Sequence, residues 1–169
     1  MSVPNRALPD EKQQTEQPET QEPSQQAEPT QVQIEDTVMP VSGDVLQGYA
    51  MEVLSYNETT RDWRTHGGVD LAAELGSSVL AARAGTVMAV YEDAYLGMTV
   101  ALQHADGYTT SYSGLAKEVS VAAGEQVQAG QIIGTVGESA LIETALEPHL
   151  HFEVTCNGEA VDPASFLYN

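Results

Sequence analysis

The chain has a single cysteine, Cys156, in 169 residues. An intramolecular disulfide and a cysteine-rich metal site are therefore both excluded. Cys156 lies in an apolar run and reads as a small core or edge residue. Cationic side chains are nearly as scarce, with 6 Lys and Arg against 25 Asp and Glu and a formal net charge of −19. Nucleic-acid binding needs a basic footprint, so that balance excludes it. Peripheral attachment to anionic lipid is excluded on the same ground. A surface this acidic keeps a protein soluble and leaves room for a basic partner. Long apolar runs are missing too, since none approaches the ~20 residues that span a bilayer. The first ten residues, Met1 to Asp10, hold no apolar stretch of the kind a signal peptide needs. The expectation is a soluble chain with no export signal, whose membrane anchor, if it has one, would precede Met1. Neither glycine-rich nucleotide loop is found, and neither is a Gly-x-Ser-x-Gly elbow.

What is present changes character along the chain. From Glu11 to Gln33 the residues are nearly all Glu, Gln, Pro, Thr and Ser. Such a stretch buries too little apolar surface to offset its ordering entropy, so residues 1–37 are expected to be a disordered spacer. Pro18, Pro23 and Pro29 favour extended backbone there. The composition turns apolar at Val38-Met39-Pro40-Val41, and residues 38–169 read as one folded domain.

That domain reads as mostly antiparallel β-structure. Val79 to Ala82 and Thr86 to Tyr91 are strand-like runs on either side of Ala84-Gly85. Met98 to His104 and Tyr108 to Tyr112 flank Asp106-Gly107 as a hairpin. Ile132 to Val136 is a further short strand. Leu150 to Cys156, Asn157-Gly158 and Glu159 to Val161 form the strongest hairpin signal, because Asn-Gly suits a type I′ turn. Helical periodicity is scarce; residues 115–119 and 138–146 are the candidates for a turn or a short helix. Val121 to Gly137 has the glycine spacing of biotinyl carrier hairpins, but neither lysine, Lys12 or Lys117, sits at a modifiable tip.

Three of the four histidines fall in two short stretches, His66-Gly67-Gly68-Val69-Asp70 and His149-Leu150-His151. Imidazoles with a carboxylate suit zinc or a similar divalent ion. The two glycines allow a tight backbone, so His66 and Asp70 can converge. His149 and His151 are two apart in a strand and share a face. One of the pair can bind metal while the other stands beside it. Glu153 continues that face and can hold an imidazole by a carboxylate–histidine bond. Three protein ligands would leave a fourth position for water, as in catalytic zinc sites.

The stretches Thr65 to Ala73, Gly85-Thr86-Val87, Gly124 to Val127, Gly134 to Gly137 and Pro148-His149-Leu150-His151-Phe152-Glu153 resemble the LytM-type M23 family of zinc metallopeptidases. The likeness runs over roughly residues 40–168. It implies a β-fold that cleaves peptides of bacterial peptidoglycan and holds one zinc ion. The implied ligands are His66, Asp70 and His151, with His149 as a catalytic histidine beside the metal. The family's second catalytic histidine belongs to a Tyr-x-His-Leu motif. Here the matching residues are Tyr112-Ser113-Gly114-Leu115, so Gly114 occupies the histidine position. Losing one oxyanion donor typically costs about 10²–10³ in rate. Ser113, next in the strand, should point the other way, and His104 reads as structural or exposed.

A narrower resemblance joins Ser55 to Thr59 and Asp62 to Ala73 to the stage II sporulation protein Q group of endospore-forming bacteria. It implies an extracytoplasmic domain in the forespore intermembrane space, reached through an anchor outside this chain. It also implies a cell-envelope partner such as a stage III sporulation protein AH-like domain. The expectation is a zinc-binding, catalytically impaired docking module. The alternative is an active zinc endopeptidase acting on peptidoglycan.

Overall fold

The structure, a computed structural model, describes residues 36–168. The spacer expected over 1–37 therefore lies, up to residue 35, outside the described residues.

The domain is built from strands, as its alternating apolar runs require. The first four are β1 (Val45–Gln47), β2 (Ala50–Asn57), β3 (Asp62–His66) and β4 (Gly68–Ala72). Next come β5 (Ser78–Leu80), β6 (Gly85–Asp93), β7 (Gly97–Gln103) and β8 (Tyr108–Leu115). The last are β9 (Gln126–Val127), β10 (Ile132–Thr135), β11 (His149–Cys156) and β12 (Glu159–Val161). Eight of them form one sheet in the order β1-β4-β11-β8-β7-β6-β9, with β12 paired to β11. All its recorded pairings are antiparallel. Two smaller sheets, β2-β3 and β5-β10, complete the set.

The two hairpins expected from sequence are present. Strands β7 and β8 pair across Asp106-Gly107. Strands β11 and β12 pair across Asn157-Gly158, whose φ values of 50° and 86° are those of a type I′ turn. The strands on either side of Ala84-Gly85 are not partners of each other. β5 pairs with β10, and β6 pairs with β7 and β9. Beyond β5, Ala81 exchanges backbone hydrogen bonds with Gly130 and Gln131, which carries the chain away from a local hairpin.

Strand β11 lies inside the sheet, between β4 and β8. Its alternation sorts the two faces. Leu150, Phe152 and Val154 have no exposure and join the core with Leu71, Val100, Leu102, Tyr112 and Leu115. The Phe152 and Tyr112 rings lie 5.2 Å apart. Burying one such aliphatic or aromatic side chain contributes about 1.5–3 kcal/mol. The intervening His149 and His151 fall on the opposite face, which is also covered.

A short helix, α1 (Pro163–Leu167), closes the core at its far end. The Asp162 side chain accepts a hydrogen bond from the Ala164 amide, and proline follows in the first turn. Phe166 is buried against His104, and the Arg83 guanidinium lies 4.0 Å above its ring. His104 is structural: it bonds the Ala84 carbonyl at 2.8 Å and the Thr110 hydroxyl at 2.9 Å. Among the described residues no helix is long and apolar enough to cross a membrane. The one helical turn in the 138–146 region is a 3-10 turn, Leu141–Glu143.

Candidate metal centre

The sheet register puts Asp70 on β4 directly opposite His151 on β11. His66 ends β3 one glycine before β4 begins. The close passage of β4 beside β11 explains Gly68. A Cβ there would lie 2.6 Å from the Phe152 carbonyl oxygen and 3.0 Å from His151 Nε2. Any side chain at Gly68 would push β4 and β11 apart.

Each imidazole is tethered at its outer nitrogen. His66 Nδ1 donates to the Gly48 carbonyl at 2.8 Å. His151 Nε2 lies 3.2 Å from Glu153 Oε1, the carboxylate–histidine contact expected from the strand face. The inner nitrogens, His66 Nε2 and His151 Nδ1, then face each other 3.4 Å apart. With both outer nitrogens carrying protons, both inner lone pairs point into one space. Asp70 fills the third side, with Oδ1 2.7 Å from His151 Nδ1 and Oδ2 3.4 Å from His66 Nε2. Asp70 has no exposure, and its Oδ2 atom accepts no hydrogen bond. A buried carboxylate oxygen that accepts no hydrogen bond, beside two converging lone pairs, is what a bound cation resolves.

A fourth side chain, which no sequence pattern points to, enters this cluster. Glu143, at the end of the 3-10 turn, is only 4% exposed. Its Oε1 lies 3.2 Å from His151 Nδ1 and its Oε2 3.3 Å from His149 Nε2. One ligand atom from each of His66, Asp70, Glu143 and His151 fits within 4.8 Å of the others. This is a His/Asp/Glu group with the chemistry to hold a metal ion.

Without a cation the cluster holds its charge as protonated imidazole and ionised carboxylate. Burial disfavours the charged form of Asp70, but His151 and His66 hold its carboxyl down at about 2. Burial likewise works against the His151 cation; Asp70, Glu143 and Glu153 outweigh it and lift that histidine well above its usual range. His66 is raised against its own burial by Asp70, and His149 by Glu143. The Glu143 carboxyl is lowered, its histidine contacts outweighing its burial.

His149 shares the His151 face without joining the four-residue cluster. Its Nδ1 bonds the Glu147 carbonyl at 2.7 Å, so Nε2 is the nitrogen turned to Glu143. Gly114 lines the same cavity as His149 and Glu143, about 150 Å³ in volume. Its φ of 78° is in the left-handed region, where an L side chain is strained. The backbone here is thus shaped to glycine. Ser113 is paired with His151 across the sheet and so lies on the His151 face, not turned away as its place next to Gly114 suggested; its hydroxyl is buried and hydrogen-bonded to Thr99 at 2.9 Å.

The peptidase family M23 profile matches residues 64–163, a span that includes every residue of this site. The chain is 37% identical over 117 residues to stage II sporulation protein Q of Bacillus subtilis (strain 168), covering 68% of this chain and 40% of that protein. It is 35% identical over 118 residues to the DD-carboxypeptidase/endopeptidase Mpg of Neisseria meningitidis serogroup B, covering 70% and 25% respectively. The chain thus spans less than half the length of these curated relatives. Among solved structures, it is similar to a chain of the SpoIIIAH and SpoIIQ complex with a TM-score of 0.66 and 31% identity, covering 77% of this chain and 99% of that one.

Proposed function

This chain belongs to peptidase family M23, and on that footing we propose that it is a metal-holding docking domain of the bacterial cell envelope, impaired as a hydrolase. The observation that carries this reading is Gly114, with its φ of 78° beside the His149 cavity. The family resemblance puts a catalytic histidine at that position. Its absence removes a donor worth about 10²–10³ in rate, and no other described histidine reaches that cavity.

His66, Asp70 and His151 are the proposed ligands of one zinc ion. Their inner donor atoms converge, and Asp70 Oδ2 accepts no hydrogen bond. When bound, zinc supplies Lewis-acid polarisation and a site for activating water. Glu153 fixes the His151 ring, and His149 stands beside the metal as the retained catalytic-type histidine.

The proposed partner is a stage III sporulation protein AH-like domain, met outside the cytoplasmic membrane in the forespore intermembrane space. The likeness to stage II sporulation protein Q and to the SpoIIIAH and SpoIIQ complex supports it. A docking role also accounts for the apolar side chains that β2 and β3 leave exposed, among them Val53, Leu54 and Trp63.

The second reading is an active zinc endopeptidase that cleaves peptidoglycan peptides. The retained His149 and the likeness to Mpg favour it. One paired experiment separates the two. The zinc-loaded domain is incubated with purified peptidoglycan and, separately, titrated with a stage III sporulation protein AH domain by calorimetry. The docking reading expects saturable binding and no released peptides. Zinc-dependent release at the rate of an M23 hydrolase control, without binding, would establish the second reading.

A further inference from the structure

We propose that Glu143 is the fourth ligand of the metal centre, so that in this fold the site is closed by protein. The inference rests on the proposed metal binding by His66, Asp70 and His151, and goes beyond it by filling the one position those ligands leave open.

The placement of Glu143 inverts the usual partition of its segment. Leu141, two residues earlier, is 64% exposed, whereas the Glu143 carboxylate is turned inward at 4%. An apolar side chain in water and a carboxylate inside is the reverse of what burial alone selects. Taking a carboxylate out of water is strongly unfavourable unless charge meets it there. The turn is also held from several sides. The Tyr95 carbonyl accepts from the Leu141 amide at 2.7 Å, and Asn57 Nδ2 donates to the Ile142 carbonyl at 3.2 Å. The Thr59 hydroxyl accepts from the Ala145 amide at 2.9 Å. These bonds fix the backbone on both sides of Glu143, so its entry into the cluster is built into the fold.

The two oxygens face different neighbours. Oε1 joins the ligand atoms at 3.2 Å from His151 Nδ1, while Oε2 lies 3.3 Å from His149 Nε2. One side chain thereby takes the coordination position that solvent occupies in an open zinc site and also engages the histidine beside it. Two neutral imidazoles and two carboxylates leave a divalent ion with no net charge in the site, which suits a buried centre. Three protein ligands with an open position mark catalytic zinc, and four mark structural zinc. Glu143 moves this centre from the first kind to the second.

The test uses cobalt(II) as a spectroscopic substitute for zinc in the wild-type domain and in Glu143→Ala and Glu143→Gln. Visible spectra are recorded from pH 6 to 9, and zinc affinity is measured by chelator competition. The expected wild-type spectrum is that of a four-coordinate ion and does not change with pH. Glu143→Ala should acquire a pH-dependent band shift as solvent enters the vacated position, with zinc affinity at least about ten-fold weaker. Glu143→Gln keeps the shape of the turn and should shift the spectrum and weaken zinc binding if Glu143→Ala does not fold. Spectra and affinities within three-fold of wild type in both variants, or a wild-type spectrum that already titrates, would overturn the assignment while leaving the three-ligand reading intact. A wild-type domain that takes up no cobalt would overturn both.

Discussion

Glu153 sits two residues beyond His151 on the same strand face, and its carboxylate holds the outer nitrogen of that ring at 3.2 Å. The contact sets which imidazole nitrogen remains free to face Asp70. Replacing Glu153 with Ala should lower zinc affinity about ten-fold. Its half-exposed side chain makes the fold itself less dependent on it. Chelator competition should therefore show the loss while the melting temperature of the metal-free domain moves little.

The metal-free and metal-loaded domains should respond to pH in opposite ways. His66, His149 and His151 have raised pKa values in the fold. Their contribution to stability is complete below the unfolded value of about 6.5 and fades as pH rises through the folded values. Asp70 is depressed to about 2, so its contribution holds above its unfolded value and disappears as pH falls through to the folded one. Thermal melts of the chelated domain should thus weaken both above pH 6.5 and below pH ~4. Added zinc should stabilise more at pH 8 than at pH 6, since the histidines must shed their protons to bind it.

Gly114 adopts a left-handed backbone conformation in which any L side chain is strained. Gly114→Ala is expected to destabilise the domain by about 1–2 kcal/mol. A Cβ meets no close obstacle there, the nearest atom being the His149 carbonyl oxygen at 3.6 Å, so strain rather than collision is the cause. Gly114→His should lose similar stability and still release no peptides from peptidoglycan, because the backbone would not aim the ring as a β-strand residue would. Chemical denaturation and a peptide-release assay read the two effects separately.

Asn57 joins two loops. Its carboxamide oxygen accepts from the Thr59 and Thr60 amides, and its nitrogen reaches the Ile142 carbonyl. Asn57→Ala should cost about 1–3 kcal/mol, because buried backbone groups lose their partners. Hydrogen exchange should accelerate around residues 57–60 and 141–145 and stay unchanged in β11. Uniform acceleration would show that Asn57 supports the whole fold rather than the turn bearing Glu143.

The strands of the candidate site were readable because their information is local. Alternation in His149 to Val154 assigns both faces of β11, and Asn157-Gly158 declares its turn. Helix α1 carries a local signal as well: Asp162 before Pro163 is a helix start, in a sequence otherwise dominated by strands. The pairing of β5 with β10 could not be read, because more than fifty residues separate strands whose own patterns are alike. Glu143 was hidden for a different reason. Its neighbours Leu141 and Ile142 look like the buried side of the turn, and only the anchors to Tyr95 and Asn57 turn the carboxylate inward.

Asp70 and His151 are cross-strand partners in the central sheet, which would tie capture of the proposed metal to correct strand alignment. A slip of one residue between β4 and β11 would send these side chains to opposite faces and put a leucine or a phenylalanine among the donors. Metal uptake at the proposed site would therefore discriminate between a chain that has folded in register and one that has not. On the proposed reading, an ion held here would reward the one alignment on which everything else in the sheet depends.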